Sequence, residues 1–203
     1  MNATDPSGDA TLGICVQASA ALGIGFHHRG TGAIGLVCLV RTVFTPKGND
    51  DIGFTETVGQ ANGHAVGVSI GVSAGYQVSN ADTLQELGKH FLNTNISAGA
   101  LTVPIGVSGS YFTGTAADGR NIWGIDGGIS FGEGESVAKF STHTNVQQVN
   151  NSIEANALRL LWDSLLPTGM FNQEAIEGLL HAAESASKSA SSSSAEPSPA
   201  PCT

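Results

Sequence analysis

With 203 residues, of which 27 are glycine and only 12% are charged, the chain has the composition of one low-charge, glycine-rich domain. Its net charge of −9 and its total of only 8 Lys and Arg residues argue against a phosphate-neutralising surface, so we expect no nucleic-acid partner. The sequence contains no run of 18 apolar residues that would predict a membrane-spanning helix.

The first half of the chain is typical of β-strands in which bulky and small residues alternate. Residues 1–9 predict a loose polar arm, and the alternation then runs from Leu12 to Phe26. It is most regular over 63–80, where Val, Ile and Tyr occupy one face and Gly and Ser the other. A period of two residues predicts a strand and excludes a helix. The other predicted elements here are a strand over 33–43, a short edge strand over 52–58 and a helical connector over 80–88.

The second half repeats this pattern and then changes period. The sequence Asp118-Gly119 between two alternating runs predicts a β-hairpin. From Val149 the apolar residues follow helical spacing. The predicted elements are strands over 101–111, 123–132 and 137–146, a helical hairpin over 147–183 and a disordered Ser/Ala/Pro tail over 184–203.

These elements predict a mainly β domain over 10–146, an antiparallel meander of six to eight strands that forms a sandwich or a small barrel. We expect its bulky face to be a second buried layer or to be covered by the C-terminal helices, which would make Ile70 a packing residue. The alternative is a barrel with an apolar outer surface and a small or polar lumen, as in transmembrane β-proteins. Only six or seven strands can be counted, fewer than the 8 that a single-chain transmembrane barrel needs.

Three cysteines are too few for a disulfide framework. Cys15 and Cys38 lie in predicted strands, where the leading interpretation is two buried thiols and the alternative is a cross-strand bridge. The acidic N-terminus lacks the basic region of a secretory signal. We therefore expect a cytoplasmic protein by default, with export by a non-Sec route as the alternative.

Several glycine-rich runs resemble one known group of proteins. They are Val72-Ser-Ala-Gly-Tyr-Gln-Val-Ser-Asn, Val107-Ser-Gly-Ser-Tyr-Phe-Thr-Gly, Asp118-Gly-Arg and Gly127-Gly-Ile-Ser-Phe-Gly-Glu-Gly. Over residues 68–138 the chain is similar to β segments of Rhs-type and other polymorphic toxin proteins. The resemblance implies a role in bacterial competition or a secreted β module, and it carries no catalytic residue over to this chain.

Candidate ligand-binding residues are the aromatic side chains near strand ends and the carboxylates of the late strand. Glu133 and Glu135 lie two residues apart, about 7 Å along a strand, which suits an acid/base pair or a cation site if that face lines a pocket. The histidines, including the adjacent His27 and His28, lack metal-ligand spacing, so no metal site and no cofactor are predicted. The full set is Tyr76, Tyr111, Trp123, Asp126, Glu133 and Glu135.

Three functions follow from these observations. The leading hypothesis is a noncatalytic β module that binds a small apolar ligand or assembles with copies of itself. The alternative is a membrane-active or pore-forming protein of toxin type. The third is an enzyme, which requires Asp126, Glu133 and Glu135 to converge on one pocket.

Overall fold

The computed structural model describes residues 10–24, 29–43, 50–62, 65–99 and 105–166. Alternating sequence forms strands in these ranges, and the segment of helical period forms a helix, as its spacing predicts. The elements are β1 (Ala10–Ile24), β2 (Arg29–Val43), β3 (Ile52–Asn62), β4 (Ala65–Ser79), the 3₁₀ helix Leu84–Leu87, β5 (His90–Gly99), β6 (Ile105–Thr115), β7 (Asn121–Gln148) and α1 (Ser152–Leu165).

The strands close into an antiparallel barrel because β7 is used twice. Its first arm, residues 121–131, lies between β4 and β6, whereas its second arm, residues 136–148, pairs with β5 and β3 and, over 136–138, still with β4. Six single strands and two arms give eight strands around the barrel. Their order is β3, β2, β1, β4, first arm, β6, β5 and second arm, which returns to β3.

The two arms of β7 meet at a corner that depends on glycine. Gly134 has φ 105 and lies opposite Ser69 of β4, and the nearby Gly67 has φ 86. A side chain at Gly134 would collide with the backbone oxygen of Val68. Only glycine combines this positive φ with so close an approach of a second backbone, so it lets one continuous strand turn from one side of the barrel to the other.

The predicted fold class is confirmed: the protein is mainly β, and its strands form a small barrel followed by a helix. Two local predictions were wrong. The region 90–99 is a strand that the sequence analysis missed, and β3 is no edge strand because it pairs with both β2 and β7. The predicted arm over 1–9, a second helix after α1 and the tail over 184–203 lie outside the described residues.

The two faces of the strands are placed opposite to the leading expectation. Small and polar residues such as Gln17 and Ser73 point into the barrel from β1 and β4, whereas the bulky aliphatic residues of these strands point outward. On β2 the buried Ile34, Leu36 and Val40 point inward as well. Ile70 is 69% exposed, so the expectation that it is a packing residue was wrong within this chain. The bulky face is not a second buried layer, and α1 covers only one end of it.

Apolar side chains are most densely packed towards the two ends of the barrel, although the buried Leu36 of β2 also lies in its middle. At one end the 3₁₀ helix inserts Leu84 and Leu87 beside Phe91 and Phe112, whose rings meet edge to face with centroids 5.4 Å apart. At the other end Phe140 is fully buried among small residues. Burial of these groups supplies the internal hydrophobic stabilisation of the barrel.

Helix α1 packs on the outside of the barrel, near the end that holds the 3₁₀ helix. Asn151 caps it by accepting a hydrogen bond from the backbone N–H of Ile153 at 3.0 Å. Its buried Trp162 joins a cluster with Leu12, Ile52 and Val78. Among the described residues, no helix combines the length and apolar character needed to cross a membrane.

Two arginines also tie α1 to the barrel. Arg41 of β2 pairs with Asp163 of the helix at 3.1 Å and with Asp50 at 2.7 Å. Arg159 of the helix pairs with the same Asp50 at 3.0 Å. Asp50 therefore bridges a barrel cation and a helix cation, and this arrangement holds α1 over one end of the barrel.

Candidate functional site

An exposed apolar surface covers neighbouring strands of the barrel, and we call it the apolar wall. It comprises outer-face residues of β2, β1, β4, the first arm of β7 and β6. Its large side chains are between 42% and 69% exposed. These residues are Val16, Leu22, Val37, Val66, Val68, Ile70, Val72, Ile105, Val107, Ile129 and Phe131.

The strand register makes the apolar wall continuous. One row across the five strands runs Val37, Val16, Ala74, Ile129 and Val107, each paired with the next. The row beside it consists of Gly35, Ala18, Val72, Phe131 and Ile105. In the first row Ala74 lies between larger side chains, and in the second row Gly35 and Ala18 form one end. Glu135, which pairs with Val68, is exposed at the border of the wall.

The opposite side of the barrel, built from β3, the second arm of β7 and β5, is different, and we call it the polar wall. Charged and polar residues are more numerous on its outer face, but five exposed apolar residues lie among them: Phe54, Val58, Leu92, Ile96 and Val137. The apolar surface is therefore most continuous on the apolar wall, and it extends past Val66 onto the paired Val137 and Ile96. The exposed polar residues are Glu56, Gln60, His90, Lys139, Ser141, His143, Asn145 and Gln147.

The lumen between the two apolar ends is polar and almost filled. Hydroxyl groups pair across strands, with Ser69 and Ser136 at 2.6 Å and Thr57 and Thr144 at 2.7 Å. Two cavities of about 20 Å³ and 10 Å³ share Ser73 and Ser108 in their linings. Each is of the size that a single buried water needs.

Asp126 is the carboxylate that faces this lumen. It accepts a hydrogen bond from the Ser110 hydroxyl at 2.5 Å and lines the smaller cavity together with Gln17. Burial raises the pKa of Asp126 to about 6, because the charged form loses its hydration, and the hydrogen bond from Ser110 opposes that rise. The amide nitrogen of Gln17 is buried and has no hydrogen-bond partner among the described residues.

The cysteines of β1 and β2 also point inward. Cys15 and Cys38 are directly opposite each other in the register and form a disulfide bridge. The leading interpretation of two separate buried thiols was therefore wrong. Both residues are buried, at 4% and 0% exposure, so the bridge lies inside the barrel wall.

The predicted site residues do not form one pocket. The three aromatic residues share the outer face of β4, β7 and β6: Tyr111 pairs with Ile125, Tyr76 with Gly127 and Trp123 with Thr113. Asp126 lies on the inner face, whereas Glu135 is exposed on the outer face of the same strand, so these two carboxylates do not converge. The side chain of Glu133 lies outside the described part of the structure, although its backbone pairs with Ile70.

Sequence reasoning missed the outer pair His90 and His143, because β5 was not predicted and only strand register brings them together. Within the described residues, no group of three or more His, Cys, Asp or Glu side chains is placed to hold a metal ion.

No known protein family, curated protein or solved structure matches the chain. The similarity of residues 68–138 to polymorphic toxin segments therefore stays a prediction.

Proposed function

We propose that the chain is a noncatalytic β-barrel module that assembles with copies of itself through the apolar wall. The observation that carries this proposal is the continuous apolar surface across five strands, centred on Val72 and Phe131. Exposed apolar surface of this extent is a feature of interaction sites in proteins, whereas scattered single apolar residues are ordinary.

The size of the apolar wall supports a protein partner. Eleven large side chains at about half exposure present on the order of 800 Å² of accessible surface, which is what one partner contributes to a standard interface. The largest apolar patch on a typical monomer is about 300–600 Å². A second copy of the chain would bring an identical wall, so the two would meet around a two-fold axis.

The shape of the wall also favours a second copy. Two sheets pack face to face about 10 Å apart when their side chains interdigitate. In one row Ala74 lies between the larger Val16 and Ile129, and in the next the small Gly35 and Ala18 lie beside Val72, so the surface has low and high places that a facing sheet can fill. Interdigitation would bury the wall that the barrel itself leaves in water, and this burial is the driving force for association.

The lumen gives little support to ligand binding or to catalysis, the hypotheses that compete with assembly. Its described cavities near Asp126 and Ser73 hold only about 10–20 Å³, which is too little space for a small apolar ligand inside the barrel. The opposed orientations of Asp126 and Glu135 likewise give no support to an enzyme with convergent carboxylates.

Sedimentation velocity of the full chain tests the proposal. The monomer mass is 20.6 kDa, so we expect the wild type to shift towards twice that mass as its concentration rises. Ile70→Asp places a charge at the most exposed wall position, and burying that charge costs about 3 kcal/mol or more, which weakens a dimer by about a hundredfold. It should stay monomeric and folded.

Val58→Asp is the matched control, because Val58 is 51% exposed but belongs to the opposite side of the barrel. It should associate as the wild type does. A wild type that stays monomeric at all concentrations, or equal association by Ile70→Asp, would contradict the proposal.

A membrane-active barrel is the second candidate function, because the strands carry apolar residues outside and polar residues inside. This is the alternation of transmembrane barrels, and the outward Tyr76, Tyr111 and Trp123 resemble interfacial aromatics. The polar wall weighs against it, because charged Lys139 on a lipid-facing surface costs about 2–4 kcal/mol near the bilayer centre. Flotation with liposomes separates the two candidates: salt-resistant flotation favours lipid, and a folded protein that stays with the aqueous phase favours assembly.

A further inference from the structure

Two histidines face each other on the polar wall. His90 is the first residue of β5, and His143 lies directly opposite it on the second arm of β7. Their ring centroids are 4.6 Å apart and the rings are tilted by 43°. Both side chains are exposed to solvent. The rings are therefore close to each other without being part of the barrel core.

The hydrogen-bond pattern of the strands explains this closeness. The backbone N–H of Thr144 donates to the carbonyl of Lys89 at 2.9 Å, so Lys89 and Thr144 form a hydrogen-bonded pair. The next pair along, His90 and His143, is then a non-hydrogen-bonded pair. In such pairs the Cα atoms are about 4.5 Å apart and the side chains stand closer together than in the alternate pairs.

We propose that His90 and His143 form a two-histidine site for a divalent transition-metal ion such as Cu²⁺, Ni²⁺ or Zn²⁺. Imidazole nitrogen is a good ligand for all three ions, with Cu²⁺ bound most tightly at a given site. A shared ion needs one nitrogen of each ring at about 2.0–2.1 Å from it. Because the two strands hold the Cα atoms close together, small rotations about the side-chain bonds of His90 and His143 bring the ring nitrogens to this geometry. Water completes the coordination, because the pair is open to solvent.

The charges around the pair leave room for a cation. The next outer-face positions along β7, Ser141 and Asn145, are neutral, and the nearby cations are Lys89, which precedes His90, and Lys139, which is four residues from His143. The chain carries a net charge of −9, which lowers the cost of binding a positive ion. An ion held by both rings would tie β5 to the second arm of β7. It would therefore stabilise the folded barrel by mass action.

Titration of the full chain with Zn²⁺ by calorimetry tests the site, with the thermal midpoint as a second readout. We expect one ion per chain, and a midpoint that rises when Zn²⁺ is added. His90→Asn and His143→Asn should each weaken binding by about tenfold or more, since one of two imidazole ligands is lost, and each should reduce the rise at a given Zn²⁺ concentration. Both positions are exposed, so far-ultraviolet circular dichroism of each variant without metal should match the wild type.

The matched control is the double variant His27→Asn/His28→Asn, which removes two histidines that are adjacent in sequence. It should bind Zn²⁺ as the wild type does. Loss of binding in the control with retention in His90→Asn would overturn the proposal, as would a wild type that binds no ion.

Cu²⁺ bound to the wild type gives an independent result, because its electron spin-echo modulation should report two imidazole nitrogens. A single nitrogen would contradict the shared site.

Discussion

Replacing Asp126 by asparagine should stabilise the barrel at neutral pH, because the wild type holds an ionised carboxylate in a lumen that hydrates it poorly. The pKa of Asp126 is about 6 in the folded barrel, against 3.8 for an ordinary aspartate. At about 1.4 kcal/mol per pH unit, this difference costs the wild type about 3 kcal/mol of stability above pH 6. The asparagine side chain would carry no charge, and its oxygen could still accept the hydrogen bond from Ser110.

The sign of the pH dependence follows from which state binds the proton more tightly. The folded protein has the higher pKa, so it holds the proton in the window from 3.8 to about 6, where the unfolded chain has lost it. The penalty is therefore absent below pH 3.8, grows as the pH rises through this window and is complete above pH 6. Asp126→Asn should be more stable than the wild type by about 2–3 kcal/mol at pH 7.5 and nearly equal to it below pH 4.

Denaturant unfolding followed by circular dichroism, at one protein concentration and at both pH values, measures this difference. The other acidic groups are common to both proteins and cancel in the comparison. Ser110→Ala provides a control on the mechanism, because it removes the hydrogen bond that lowers the pKa of Asp126. In this variant the pKa of Asp126 should rise further, so its stability should go on falling to a higher pH than that of the wild type. Equal stabilities at pH 7.5, or a stability difference that does not change with pH, would refute the reasoning.

Three further predictions address the bridge, the helix and the corner, each read by denaturant unfolding. Cys15→Ala/Cys38→Ala should lose about 3 kcal/mol, since the bridge spans 23 residues, and reductant should affect the wild type but not this variant. Trp162→Ala should lose about 3 kcal/mol from α1 packing, and a loss below about 1 kcal/mol would mean that the helix adds little. Gly134→Ala should cost about 3 kcal/mol or more, because backbone strain at its positive φ adds to the collision with the Val68 oxygen, whereas Gly35→Ala, where a Cβ meets open space, should change stability by less than about 1 kcal/mol. Equal effects at the two glycines would contradict the account of the corner.

Local sequence patterns predicted most of the strands and the helix. Alternation over 63–80 corresponds to β4, and the change of period at Val149 precedes α1. Both signals depend only on neighbours within one element. In β5, Phe91 and Leu92 put large residues on both faces while Asn93 and Asn95 put polar ones inside, so its alternation of bulky and small residues is weak. When polar residues face the lumen, the two faces of a strand differ little in hydrophobicity, and the two-residue period cannot be recognised from the sequence.

The features that carry the proposals depend on distant parts of the chain. Alternation separates two faces but does not tell which one is inside, because either face can be buried by another layer. Here closure of the barrel places the small face inward. The pair His90 and His143 and the bridge between Cys15 and Cys38 likewise depend on strand register. The register of β5 against β7 follows from the double use of β7, which no local pattern encodes.

The most direct test of the apolar wall is the accessibility of a thiol placed at its centre. Val72→Cys in a Cys202→Ser background can be labelled with a maleimide at rising protein concentration, with Val58→Cys in the same background for comparison. If copies associate through the wall, labelling at position 72 slows as concentration rises while labelling at position 58 does not. If both positions label at the same rate at every concentration, the wall is open in solution and does not join copies of the chain.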